Sequence, residues 1–519
     1  MIDSPKLKKT CRPATYKGLS SKGTVSAPSA PHLPYSLSPI PSIPTFCLAS
    51  KPLSLNLDLI IHLTANLNSK FLTRIHLEFD TWLNNRLKRV NKNYNKCLDT
   101  MVANLWDAHQ SSSQLITPLQ AISITYNNSD KLGYDMIINT LKFLSAKEYI
   151  HLNKGEARMN SGIATWCTST PKLSRWFELD EMQTRLKENA TFVVLRKKLP
   201  VETVVTKSRT VDNEIEFYQT TATVKRNTDV PIPSSQKAKA RRLAKTVRAY
   251  NQLWTNSSAT LNGYHIRPWC RRIFNNNLNL GGRYYGEFQT LPKADRVNIL
   301  INSFETTEPD YSGLHFNLLY AQEGIQLGAR DDVYKVKGYD RETIKAVMIP
   351  LLNTTNLNAL AGQITKSGRA DIKAAHAKHK EAQKYAANLE ARGIKADDNY
   401  KPARFLKGFI EGIPEGADGH ELLAKLKTRH RAIAHRFGEA DLGIKLQNQD
   451  AQLMSNVLDV LIANNIAALP IHDSIRVQIY HVAFAIETMK EQYHKLTGYS
   501  IDVSEVIHIK PRALRACGG

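Results

Sequence analysis

Apolar positions recur at helical spacing early in the chain. Phe71, Ile75, Phe79 and Trp82 fall four, four and three residues apart, the interval that places side chains on one face of an α-helix. The pattern predicts a mostly helical region from residue 51, with Arg86, Lys88 and Arg89 on its polar faces. Met136, Ile137, Leu141, Phe143 and Leu144 predict a further helix; Tyr149, Ile150 and Leu152 then read as a strand, with Lys154–Gly155 as its turn. A helix followed by a short hairpin is the shape of the second half of a winged-helix module, or an ordinary helix–hairpin pair. Strand alternation returns in Thr191–Leu195 and Ile215–Tyr218. The stretch PIPSSQKAKA at 231–240 reads as a linker. A helix over Arg241–Leu253 presents Arg241, Arg242, Lys245 and Arg248 either to a phosphate backbone or to solvent.

Composition sharpens this division. Residues 1–50 are rich in Ser, Pro and Lys and predict a disordered tail, because such a segment buries too little apolar surface to offset its ordering entropy; a transit peptide is the lesser reading. Residues 51–230 then form an N-terminal nucleic-acid-binding region, 231–264 a basic linker and helix, and 265–519 a separate domain. Residues 366–400 predict a charged, Ala-rich helix with Lys373, His376, Lys378 and Lys380.

The 519 residues carry a formal charge of +23, with 70 Lys and Arg against 47 Asp and Glu. An excess of this size favours a polyanionic partner, since each cation near a phosphate releases condensed counterions. No window holds the ~18 consecutive apolar residues of a membrane span, so no membrane partner is expected. Cys11, Cys47, Cys97, Cys167, Cys270 and Cys517 form no CxxC pair and no zinc-ligand spacing. With no signal-peptide pattern at the start, the expected location is intracellular.

Three segments carry chemistry. In Thr306–Gly324, polar and β-favouring residues lead to Asp310, followed by a helix with Leu314, Leu318 and Leu319 as apolar positions and Ser312 as the expected N-cap. A carboxylate at a strand end beside a helix start suits a hard cation and its phosphate. In Asp340–Asn353, Asp340 caps a helix on which Arg341 and Lys345, four apart, share one face; Pro350 should disturb its end. In Ile466–Ile479, an apolar run stops at Ile471, His472 and Asp473 follow, and Ile475, Val477 and Ile479 alternate with polar residues. This predicts a hairpin with His-Asp at its tip, preceded by a helix over Gln447–Ala463.

The order DYSGLH, RxxxK, HDS resembles motifs A, B and C of family A DNA polymerases and the related phage single-subunit RNA polymerases, over roughly residues 265–510. The resemblance implies a right-hand α+β fold with a palm and helical fingers. It implies that Asp310 and Asp473 hold two Mg²⁺ ions, with Mn²⁺ as a substitute. Arg341, Lys345 and Tyr311 would bind the nucleoside triphosphate, and Lys345 could protonate the leaving pyrophosphate. Gln447 and His472 would contact template or primer. His315 stands where the DNA enzymes carry a sugar-selecting Glu, and Ile349 and Asn353 stand where an aromatic is usual. HDS is the RNA enzymes' form, DYS the DNA enzymes'. These departures suggest a divergent branch, of the kind a virus or mobile element carries. The expected function is template-directed nucleotide addition, DNA synthesis first, with RNA polymerase or primase as the alternative. A non-catalytic nucleic-acid-binding replication protein is the rival from another class.

Overall fold

A computed structural model of the protein describes residues 53–55, 59–63, 70–87, 93–111, 114–116, 132–153, 165–179, 182–187, 190–211, 214–328, 331–377 and 411–506. The expected tail at 1–50, the turn at Lys154–Gly155, and Lys88, Arg89, Lys378 and Lys380 lie outside these residues.

The N-terminal region contains strands as well as helices, which corrects the mostly helical expectation. In order it runs β1 (Leu53–Ser54), β2 (Leu59–Leu63), α1 (Lys70–Asn84), α2 (Asn93–Gln110), β3 (Leu115–Ile116), α3 (Tyr134–Ala146), β4 (Ile150–Asn153), β5 (Trp166–Ser169), α4 (Pro171–Leu179) and β6 (Met182–Leu186). The predicted helical face is present: Phe71, Ile75 and Phe79 of α1 are fully buried, against Leu98, Phe143 and Tyr149 among others. Apart from β4, which was expected, the strands escaped notice because their partners are remote. β2 pairs with β6, and β1, β3, β5 and β4 lie side by side in that order. β4 and β5 pair antiparallel as the predicted hairpin requires, although β5 begins only at Trp166.

Next come β7 (Val193–Val211) and β8 (Glu214–Val230), far longer than the alternation predicted. They pair from Leu195↔Val230 to Val211↔Glu214. α5 (Lys237–Leu253) covers the root of this ribbon, packing Ala240 on Val193 and Leu195. It starts four residues before the predicted helix, so the end of the supposed linker is helical. After β9 (Ala259–Leu261) and β10 (Tyr264–His265), β11 (Arg271–Asn275) and β12 (Gly281–Tyr285) complete a sheet in the order β12-β11-β7-β8.

The remaining elements are α6 (Lys293–Arg296), β13 (Ile299–Ile301), β14 (Phe304–Tyr311), α7 (Leu314–Gln322), α8 (Arg341–Asn353), α9 (Leu357–Ser367), α10 (Gly419–Arg429), α11 (Leu442–Ala463), β15 (Leu469–Ile471), β16 (Ser474–Gln478), α12 (Val482–Thr497) and β17 (Val503–Val506). Their sheet runs β10-β9-β13-β14-β16-β15, with β17 also on β14. Leu453, Val457, Leu458 and Leu461 of α11 are buried at the predicted core spacing. Each such side chain contributes about 1.5–3 kcal/mol relative to exposure, which holds the helix against β12, α5, α8 and α12. Pro350 sits inside α8, which ends three residues later at Asn353. Lys373 donates to the Ile413 carbonyl and His376 is buried beside Glu411, so this part of the charged helix faces the protein. No helix among the described residues is long and apolar enough to cross a membrane.

Candidate active site

Strand periodicity decides what β14 displays. Alternate residues point to opposite faces, so Glu308 and Asp310 share one face and Tyr311 takes the other. Tyr311 is buried, donates its hydroxyl to the Met489 carbonyl at 2.6 Å and packs near Tyr493. Its side chain therefore cannot serve the triphosphate as the resemblance implied. Asp310 lies opposite Ser474 of β16 on one edge and Ser504 of β17 on the other.

The hairpin β15–β16 turns on His472 and Asp473, as its pattern predicted, with His472 at φ 60°. The Tyr311 amide donates to the Asp473 carbonyl at 3.4 Å, so the two candidate acids stand on adjoining chain segments. β16 is buried along its whole length instead of alternating. Its polar residues find partners inside: Arg476 bonds Glu308 and Thr306, and Gln478 donates to the Ile301 carbonyl.

Two carboxylates on one face of β14 meet opposite environments. Burial would raise the Glu308 carboxyl, yet the guanidinium groups of Arg296 and Arg476 hold it below the usual range. Arg476 donates at 2.8 Å, Arg296 at 3.3 Å and the Ser474 hydroxyl at 3.2 Å. No guanidinium bonds Asp310, and the charge of Lys293 offsets only part of what raises it. Burial first, then the charges of Asp473 and Glu308, push it up to about 7. Its Oδ1 is buried without a hydrogen-bond partner.

An unmatched carboxylate oxygen beside a second carboxylate suits a hard divalent cation such as Mg²⁺ or Mn²⁺. Among the described residues no group of three or more His, Cys, Asp or Glu side chains is placed to hold a metal. Such an ion at Asp310 and Asp473 would draw its remaining oxygens from water and substrate.

On α8, Asp340 caps the helix as predicted, accepting from the Thr343 amide at 2.8 Å. Arg341 and Lys345 converge on the ring of Tyr334, 4.8 and 5.8 Å from its centroid. Arg341 also pairs with Asp332 at 2.9 Å, and Lys345 with Glu342 at 3.1 Å. Burial, then the Asp473 charge, raise the Tyr334 phenol, so it stays a neutral donor near the acids. Tyr334 supplies an aromatic where motif B has none; Ile349 is 72% exposed. A cavity of about 350 Å³ beside it is lined by Ser312, Gly313, Tyr334, Arg341 and Asp502, among others. Gly313, not Ser312, is the N-cap of α7; it has φ 60°, and no side chain caps the helix.

His315 is not an open sugar-facing group. Its Nε2 lies 2.8 Å from Oδ2 of Asp450, which is buried within α11. Arg283 of β12 donates its Nε to both Asp450 oxygens at 3.1 and 2.9 Å and places Nη2 3.3 Å from His315. Gln447 is half-buried and its side chain makes no hydrogen bond among the described residues; Asp450, about one turn on, reaches the site instead. His472 is exposed, edge-on to Tyr285 at 6.5 Å. Sequence reading gave Arg283 no role and missed Asp450 and Tyr334. A buried Asp in an apolar helix was the one available signal.

No protein-family model and no curated protein matches the chain. Among solved structures it is similar to the POL domain of Pol1 from M. smegmatis in complex with DNA primer-template and dNTP, at 12% identity and a TM-score of 0.21. The match covers 52% of each chain, so this chain spans about half the length of that one. A likeness at this TM-score decides neither fold nor activity.

Proposed function

We propose that the protein is a template-directed nucleotidyltransferase, and within that class a DNA-directed DNA polymerase. The observation that carries this reading is the adjacency of Asp310, at the end of β14, to Asp473, in the turn before β16, with no guanidinium bonded to Asp310. Divalent cations at these acids would neutralise the developing charge of an in-line phosphoryl transfer. The chain's own residues do the rest. Arg341 and Lys345 hold the triphosphate, and Lys345 protonates the departing pyrophosphate. Tyr334 keeps both cations directed inward and donates its phenol to the same phosphates. Asp450 holds Arg283 and His315 in place beside the acids.

A second reading, RNA polymerase or primase, is favoured by His315 and Ser474, which stand where DNA enzymes usually carry Glu. Extension of primed and unprimed templates with dNTPs or NTPs, in Mg²⁺ or Mn²⁺, separates the two. We expect dNTP incorporation, falling by ~10³-fold or more in Asp310→Ala and in Asp473→Ala, a loss of about 4 kcal/mol in transition-state stabilisation. Preference for NTPs would move the assignment to the second reading. Incorporation of neither set, or full activity in both variants, would overturn the enzyme reading.

A further inference from the structure

The basic helix noted in the sequence plays no part in the site above. α5 carries no acidic residue. Its inward face is Ala240, Val247, Tyr250 and Asn251. Lys237, Arg241, Lys245 and Arg248 are all exposed, and their spacing of four, four and three makes one stripe along the helix. The stripe is about 16 Å long at ~1.5 Å per residue. Like charges at this spacing repel and weaken the helix. Among the described residues none of the four forms an ion pair; Asp459 of α11 is close enough to Lys245 for each charge to act on the other, and Arg248 lies over Phe192.

The ribbon extends the stripe on one side only. Val193 and Leu195 face α5, so strand alternation puts Lys197 on the same side. The register Leu199↔Arg226 puts Arg226 there too, while Lys198 and Lys225, the latter opposite Pro200, fall on the reverse face. All four are exposed. Of the ribbon's acids, Asp229 pairs with Arg196 at 2.8 Å on the reverse face, and Glu202, Glu214 and Glu216 lie farther out, toward the tip. At the other edge of the same sheet, β12 carries Arg283.

We propose that the α5 stripe, continued by Lys197 and Arg226, is a track for the backbone of duplex nucleic acid outside the Asp310–Asp473 site. Each strand of a duplex presents a phosphate per ~3.4 Å of axis, so a 16 Å row of cations faces about five. The proposal needs no catalysis: it stands or falls on binding.

The test uses the full chain and a fluorescein-labelled 30-base-pair DNA duplex of mixed sequence, read by anisotropy from low to moderate salt without nucleotide. Lys237→Gln/Arg241→Gln/Lys245→Gln/Arg248→Gln should weaken binding ~30-fold and lower the slope of log affinity against log salt by about 3.6, near 0.9 for each phosphate no longer neutralised. Lys197→Gln/Arg226→Gln should lower the slope by about 2, and Lys198→Gln/Lys225→Gln should leave it unchanged. Exposed substitutions of this kind should leave the melting temperature in place. Equal loss from both ribbon pairs, no loss from the helix variant, or a wild type that binds anionic vesicles but not duplex would overturn the proposal. Asp310→Ala should bind duplex like wild type, so loss of synthesis and loss of this track are read separately.

Discussion

Where the N-terminal region meets the rest of the protein, Arg267 is fully buried and fully served. Asp107 accepts its Nε at 2.7 Å, Glu287 its Nη1 at 3.2 Å and Asn104 its Nη2 at 3.1 Å, while Thr184 donates to the other Asp107 oxygen at 2.6 Å. At the end of β14, Asp310 is also largely withdrawn from water, but its acidic neighbours outweigh Lys293 and one oxygen has no partner. Burying a charge is costly unless it is paired and hydrogen-bonded. The first arrangement meets that condition and serves to join two regions. The second violates it within two residues of Glu308, where the same strand meets it. The same strand thus holds Glu308 between two arginines and leaves Asp310 without one, the contrast on which the proposed cation site rests.

The contrast can be broken at either end. At the junction, Arg267→Ala or Asp107→Ala strands a buried charge and should cost about 3–5 kcal/mol in chemical denaturation. Asp107→Leu with Arg267→Met should cost less than either single change. A single variant that unfolds like wild type would show the junction to be ornamental to stability.

At the site the sign reverses, and Asp310→Asn should stabilise the protein in the absence of divalent cations. Asp310 titrates near 7 when folded against 3.8 as its ordinary value. Below about pH 4 both states are protonated and the substitution gains nothing. Between about 4 and 7 the unfolded chain gives up its proton first, so stability falls as pH rises. The gain from Asn should therefore grow over this window and level off above pH 7. We expect about 1–3 kcal/mol at pH 8, with a rise of one in pKa worth about 1.4 kcal/mol and solvent screening reducing the total. Denaturation curves at pH 5 and pH 8 check it; destabilisation at pH 8 contradicts the unbalanced charge.

How much of this was legible depended on sequence distance. Local chemistry was plain: the Asp340 cap, the His472–Asp473 turn and the α11 core face all follow from neighbours within a few residues. Strand alternation, applied to β14, would have shown that Tyr311 points away from Asp310. Pairings between remote segments were hidden. Arg283 and Asp450 are 167 residues apart, and neither position alone signals the pair. Tyr334 stands outside any motif and matters only because α8 brings two cations over its ring. The β7–β8 ribbon exceeded its apolar pattern because its length rests on backbone pairing, residue against residue, which leaves little trace in hydropathy.

The central claim is that Asp310 and Asp473 together hold a divalent cation. Mn²⁺ binding at pH 8, followed by electron paramagnetic resonance as free ion is lost from solution, tests it without reference to any reaction. Wild type should bind Mn²⁺, with Mg²⁺ competing, and Asp310→Asn and Asp473→Asn should each abolish that binding while remaining folded. Unchanged Mn²⁺ binding in both variants, or none in the wild type with a nucleoside triphosphate present, would contradict it.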